Sequence, residues 1–192
     1  MTFHPMPRGG VVGEVSRDGL AEPISGDGLA ESTIVSDRFH RFMRTWATGI
    51  TVVTTRRAER LFGCTVTAFA SVSLRPALLL VSLGRGSRTL AAVQEQGVFA
   101  VNVLSEDAAA LADRFATMPG DRFATVPHRL VEGVPVLEEA MATAVCRVHS
   151  AVPVADHMLV LGHPVEYGDF RESRPLLRFD GRTTTARSLS SP

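Results

Sequence analysis

The chain has 192 residues, 45% of them hydrophobic, with 20 basic and 20 acidic side chains and no net charge. That length supports one well-buried domain with residues to spare, and the neutral balance argues against a nucleic-acid binder, which needs a basic surplus to neutralise phosphates. All 20 basic residues are arginine, which excludes a Schiff-base lysine, a phosphate-loop lysine and a lysine general base.

No apolar stretch reaches the length of about 20 residues that spans a bilayer. The amino terminus lacks the apolar core of a signal peptide, so the expected location is cytoplasmic. Cys64 and Cys146 are far apart and too few for a disulfide framework or a structural zinc site, so both are expected to be ordinary thiols.

Residues 1–35 are rich in Gly, Pro and acidic side chains, and the pentapeptide DGLAE occurs twice, at 18–22 and 27–31. Such a segment buries too little apolar area to offset its ordering entropy and is expected to be a disordered tail. A folded domain is expected over 36–182, with a second tail at 183–192. Ser36 is the candidate N-cap of a first helix. Phe39, Phe42, Met43 and Trp46 recur at helical spacing and are expected to face the core, and Gly49 is the expected helix end. Strands are expected at 50–55, 64–69 and 77–83, then a helix over 87–96 capped by Ser87. A strand at 98–104 and an alanine-rich helix at 106–115 follow, then strands at 142–149, 157–165 and 176–179. Many strands, short helices and no βαβ rhythm predict a mainly β protein, a largely antiparallel barrel with peripheral helices.

Gly84-Arg85-Gly86-Ser87-Arg88-Thr89 follows a strand and opens a helix, as a Rossmann fingerprint does. Thr89 replaces the third glycine and no acidic residue ends the next strand, so that reading fails. The turn nevertheless offers two hydroxyls and free amides at a positive dipole end, with Arg85 and Arg88 adding charge: a phosphate site, or a simple N-cap. The hydroxyl cluster Thr65, Thr67, Ser71 and Ser73 suits either a ligand wall or a solvated strand face. Asp156-His157 at a strand start fits a proton carrier, a metal ligand or a structural hydrogen bond. The other histidines show no ligand spacing, and no metal site is expected. The sequence has neither a Gly-x-Ser-x-Gly elbow nor an HExxH helix, so a cofactor-dependent reaction fits better than hydrolysis.

Several of these pieces fall into one order. The run 39–55 (FHRFMRTWATGITVVTT), the segment 63–76 (GCTVTAFASVSLRP), GVFAVNVL at 97–104, Asp121-Arg122-Phe123 and Asp156-His157 together resemble the flavin reductase-like domain family across roughly residues 37–180. The resemblance implies an FMN-binding split β-barrel of Greek-key type, forming a homodimer that binds FMN or FAD. It implies a reductase that passes a hydride from NADH or NADPH to the flavin, which then diffuses to a separate monooxygenase. On the same resemblance, Thr65, Val66 and Thr67 would hold the isoalloxazine edge and ribityl chain, and Ser71, Val72 and Ser73 would continue that wall. Ser87, Arg88 and Thr89 would bind the phosphate, and Arg122 and Phe123 would close the site, from either subunit. His157 would sit near the nicotinamide as an orienting group, because hydride transfer asks mainly for alignment. The rival readings are a flavin-binding sensor or electron carrier on the same barrel, and an oxidase of the pyridoxamine-phosphate type.

Overall fold

The computed structural model describes residues 29–168 and 170–186. The chain divides into two units, residues 1–40 and 41–192. Helix α1 (Leu29–Arg44) begins in the first. It takes in residues 29–35, the end of the segment expected to be a tail; the first DGLAE copy lies outside the described residues. Ser36 is therefore inside the helix and is not its cap, and Gly49 belongs to the short strand β1 (Thr48–Gly49) rather than to a helix end. The aromatic stripe also departs from expectation. Phe39, Phe42, Met43 and Trp46 are 60, 69, 40 and 65% exposed. Helical spacing puts side chains on one face but does not supply anything to cover that face.

The second unit is built on seven strands: β2 (Thr51–Arg57), β3 (Arg60–Val66), β4 (Phe69–Leu74), β5 (Ala77–Gly84), β6 (Val98–Leu104), β9 (Ala140–Val154) and β10 (His157–Tyr167). Their order in the sheet is β3-β2-β6-β9-β10-β5-β4, and every neighbouring pair is antiparallel. The two edge strands, β3 and β4, are consecutive in the chain and separated only by Thr67 and Ala68. Three Cα steps cover about 11 Å at most, so the edges must meet at that end and the sheet must curl into a barrel. The Ser82 amide donates to the Ala68 carbonyl at 3.0 Å and pins the crossing. The single strand expected at 64–69 is thus two strands broken at Thr67–Ala68. Strand β11 (Leu176–Phe179) pairs with β1 and with β12 (Arg182–Thr185) in a smaller sheet. Residues 183–185, expected to be tail, are in β12.

Alternation along the strands sorts the core. Val53, Phe99, Val101, Cys146 and Val160 point into the barrel, which helix α2 (Arg88–Gln96) plugs with Leu90 and Val93. On the other face of β2 and β6, Val52 and Leu104 pack under helix α3 (Ala109–Thr117), with Leu111, Phe115 and Phe123. Val98 and Ala100 meet Val134 and Val136 of a hairpin, β7 (His128–Val131) and β8 (Val134–Leu137), that the sequence reading did not foresee. Two covered faces explain why Thr51–Thr55 is buried at every position. Asn102 locks the layers together. Its Nδ2 donates to the Val52 carbonyl at 2.9 Å and to Thr54 Oγ1 at 3.0 Å, and its Oδ1 accepts the Leu137 amide at 2.8 Å.

Helix α2 follows its expected bounds. Ser87 caps it in an extended conformation, and Gly97 ends it at φ 70°, the left-handed region that favours glycine. Among the described residues, no helix is long and apolar enough to cross a membrane.

Candidate functional site

Two adjoining cavities open around the amino end of α2. The smaller, about 310 Å³, lies between Cys64–Ala68, Ser82–Gly84 and His157. The larger, about 610 Å³, runs between the start of β3, Gly86–Thr89 and the segment 120–128. Cys64 and Ser87 line both, so the pair forms one cleft with the helix start at its waist.

The waist carries the strongest chemistry. Ser87 Oγ accepts the Leu90 amide at 3.4 Å, and the Ser87 carbonyl accepts the Ala91 amide at 3.2 Å. The amides of Arg88 and Thr89 precede the first intrahelical bond, as the opening donors of any α-helix do. No acidic side chain occupies the first turn to neutralise the dipole. Arg88 is exposed beside these donors, whereas Thr89 is only 4% exposed. The Thr89 hydroxyl lies within hydrogen-bonding reach of the Cys64 thiol. Arg85 does not contribute to either cavity: its guanidinium donates to the Ala155 carbonyl at 3.3 Å.

Thr65, Val66 and Thr67 line the smaller cavity, but with unequal means. The Thr65 hydroxyl turns to α3 and donates to the Ala112 carbonyl at 2.6 Å. Val66 is 6% exposed and its side chain belongs to the barrel core. Thr67 is exposed and sits between the two ladders, paired in neither. What this segment presents is chiefly backbone and the Thr67 side chain. Ser71, Val72 and Ser73 are not brought to either cavity. Strand β4 pairs Ser71 with Leu79 and Ser73 with Leu78, so the chain runs away from the Ser82–Gly84 end. Four to six residues at about 3.4 Å each put Ser73 roughly 14–20 Å down the sheet from it. The wall expected as one stretch is split by the barrel closure.

Arg122 lines the larger cavity while its Nη1 donates to the Gly63 carbonyl at 2.8 Å and its Nε to the Met118 carbonyl at 2.9 Å. Gly63 also lies against the Phe115 ring, where a Cβ would come within 2.8 Å. Phe123 borders the same cavity but is 5% exposed. Its ring packs edge-on against Phe115 and His128, at centroid distances of 5.0 and 5.4 Å. Both residues come to the cleft from the same chain as Ser87.

His157 opens β10 at the mouth of the smaller cavity, where it pairs with Gly84 and Val154. Its Nδ1 is 2.9 Å from Asp156 Oδ1. That hydrogen bond holds the Asp156 carboxyl below its usual range. An ionised carboxylate only accepts, so Nδ1 carries the proton of this bond. The sequence reading passed over Cys64, which stands where the two cavities meet. Burial pushes its thiol up, against the opposing pull of the Thr89 hydroxyl, the Arg122 charge and the Ser87 hydroxyl. No local pattern marks this cysteine out; only the β3–α2 contact does.

An antiparallel barrel closed between consecutive edge strands, with a capped helix opening on a double cleft, has the architecture of a small-molecule site rather than of a nucleic-acid or membrane surface. A family model described as "Flavin reductase like domain" matches residues 43–187, and the chain belongs to that family. A flavin reductase (NADH) from Kitasatospora aureofaciens is 41% identical over 69% of this chain and 71% of its own. The reductase component of 4-hydroxyphenylacetate 3-monooxygenase from Thermus thermophilus is 33% identical over 76% of this chain and 93% of its own. The crystal structure of a nitrilotriacetate monooxygenase component B homologue from Mycobacterium thermoresistibile superposes with a TM-score of 0.80, at 29% identity, covering 84% of this chain and 92% of that one.

Proposed function

We infer that the cleft binds a flavin and a nicotinamide dinucleotide, and that the protein is an NAD(P)H-dependent flavin reductase serving a separate monooxygenase. The observation that carries this reading is the amino end of α2 at the waist of the double cleft, with the unpaired Thr67 segment on one side. The donor set fits a flavin phosphate: Ser87 Oγ, the first-turn amides and the Arg88 guanidinium form an anion site without a competing carboxylate in that turn. When bound, a flavin supplies the two-electron acceptor for nicotinamide oxidation. The chain supplies position. Thr65–Ala68 and the Ser82–Gly84 strand end border the space for ring and ribityl chain, and His157, tethered by Asp156, orients groups at the mouth.

We place the protein in the cytoplasm, where nicotinamide dinucleotides are available, and as a homodimer. Large exposed apolar side chains support the second assignment: Leu74 is 89% exposed and Phe170 76%. The deciding experiment is an anaerobic mix of the protein with FMN or FAD and NADH or NADPH, followed at roughly 450 nm, where oxidised flavin absorbs. Catalytic bleaching of excess flavin is expected. Stoichiometric bleaching would favour a sensor or carrier, and no bleaching with any pair would end the reductase reading.

A further inference from the structure

We propose that Arg85 is a positioning residue of the site: its guanidinium, together with its backbone amide, holds the hairpin tip that carries His157 at the mouth of the smaller cavity. The inference rests on the reductase reading above and goes beyond it, since Arg85 lines neither cavity.

The tip needs holding. Strand β9 turns into β10 through Ala155 and Asp156, between the paired residues Val154 and His157. Ala155 has φ 47°, in the left-handed region where a two-residue turn ordinarily places glycine. Residues 153–157 are all exposed, so no core packing enforces this conformation. A side chain in that region persists only where other contacts over-determine it.

Arg85 supplies those contacts. Its amide donates to the Asp156 carbonyl at 2.9 Å, and its Nη1 donates to the Ala155 carbonyl at 3.3 Å. Both carbonyls of the turn therefore end on one residue. Gly84, its neighbour, pairs with His157, and the Gly84 carbonyl accepts the Ser87 amide at 2.9 Å. The segment from Gly84 to Ser87 thus holds the His157 tip on one side and opens α2 on the other. The bond of His157 Nδ1 to Asp156 Oδ1 ties the imidazole to the same tip. Ring position follows tip position, and tip position follows Arg85. Any residue but proline at position 85 could make the amide bond; only the guanidinium reaches the carbonyl of Ala155, the residue with the disfavoured φ.

Arg85→Met in the full chain tests this, because it keeps the stem and the amide and removes the guanidinium. In the anaerobic flavin-reduction assay kcat should fall by about threefold to tenfold, since a displaced aligning group is costly in rate. Flavin Kd should change by less than about twofold, because Arg85 lies outside both cavities. Hydrogen exchange in the peptide spanning 154–158 should rise in the same variant. The double variant Arg85→Met with His157→Ala gives the readout that a merely structural role would not move. It should turn over within about twofold of His157→Ala alone, because the guanidinium acts through the imidazole. An unchanged kcat in Arg85→Met, or losses that multiply in the double variant, overturns the proposal. So does weakened flavin binding with unchanged exchange at the tip, which would make Arg85 a charge acting on the ligand. An unmodified chain that reduces no flavin is a different result: it removes the reductase reading itself.

Discussion

Substituting Ser87 by aspartate separates the helix cap that this residue makes from the phosphate contact proposed for it. Its Oγ accepts the Leu90 amide at 3.4 Å, and aspartate caps a helix about as well as serine, whereas Ser87→Ala loses about 1 kcal/mol of cap. In a chain of this size that loss lowers the thermal midpoint by about 2–4 °C. At the phosphate the order of the two variants reverses. Ser87→Ala removes one hydrogen bond to a charged group, worth about 1.5–3 kcal/mol, or roughly tenfold or more in Kd. Ser87→Asp loses that bond and adds a like charge. Two unit charges about 4 Å apart repel by about 4 kcal/mol at an effective dielectric of about 20. Halved by exposure and salt, the repulsion still adds about 2 kcal/mol, a further weakening of roughly 30-fold. FMN affinity should therefore fall in the order wild type, Ser87→Ala, Ser87→Asp, while thermal stability is lowest for Ser87→Ala. Riboflavin, which has no phosphate, should bind all three alike. Calorimetric titration and a thermal melt read both orders. Undiminished FMN binding by Ser87→Asp, or an equal loss for riboflavin, would refute the assignment of this helix start to the phosphate.

Three further outcomes are expected. Asn102→Ala leaves partners in β2 and β8 without their bonds in a site of 0% exposure; a cost of about 3–4 kcal/mol should lower the thermal midpoint by about 10 °C, and a drop under about 3 °C would contradict the locking role. His157→Ala should slow flavin reduction by less than about 100-fold with flavin affinity retained; abolished turnover at normal flavin binding would make His157 an essential acid instead. Glu106 accepts from Arg174 Nε at 2.7 Å and Thr185 Oγ1 at 2.9 Å, bonds that lower its pKa. A carboxylate held low contributes stability above its unfolded pKa and loses it as pH falls through the folded one. Glu106→Gln should thus melt below wild type at neutral pH and converge with it below about pH 4; a constant gap across pH would speak against this clasp.

Chain-local features were legible in the sequence wherever one element sufficed to express them. The α2 cap at Ser87 and its end at Gly97 follow from side-chain bonding and backbone freedom within a few residues. The strands Val98–Leu104 and Leu176–Phe179 follow from runs of apolar and β-branched side chains, and the antiparallel class from the absence of βαβ spacing. Tertiary structure decided what those elements meet. The barrel closes between Val66 and Phe69, which divides the hydroxyl-rich segment and carries Ser71 and Ser73 away from the cleft. Packing of β3 against α2 brings Cys64 to the turn that opens α2, and folding of segment 118–128 onto Phe115 delivers Arg122 to the same cavity while burying Phe123. The exposed stripe of Phe42, Met43 and Trp46 makes the same point in reverse: periodicity selects a face, and only a partner surface makes it a core.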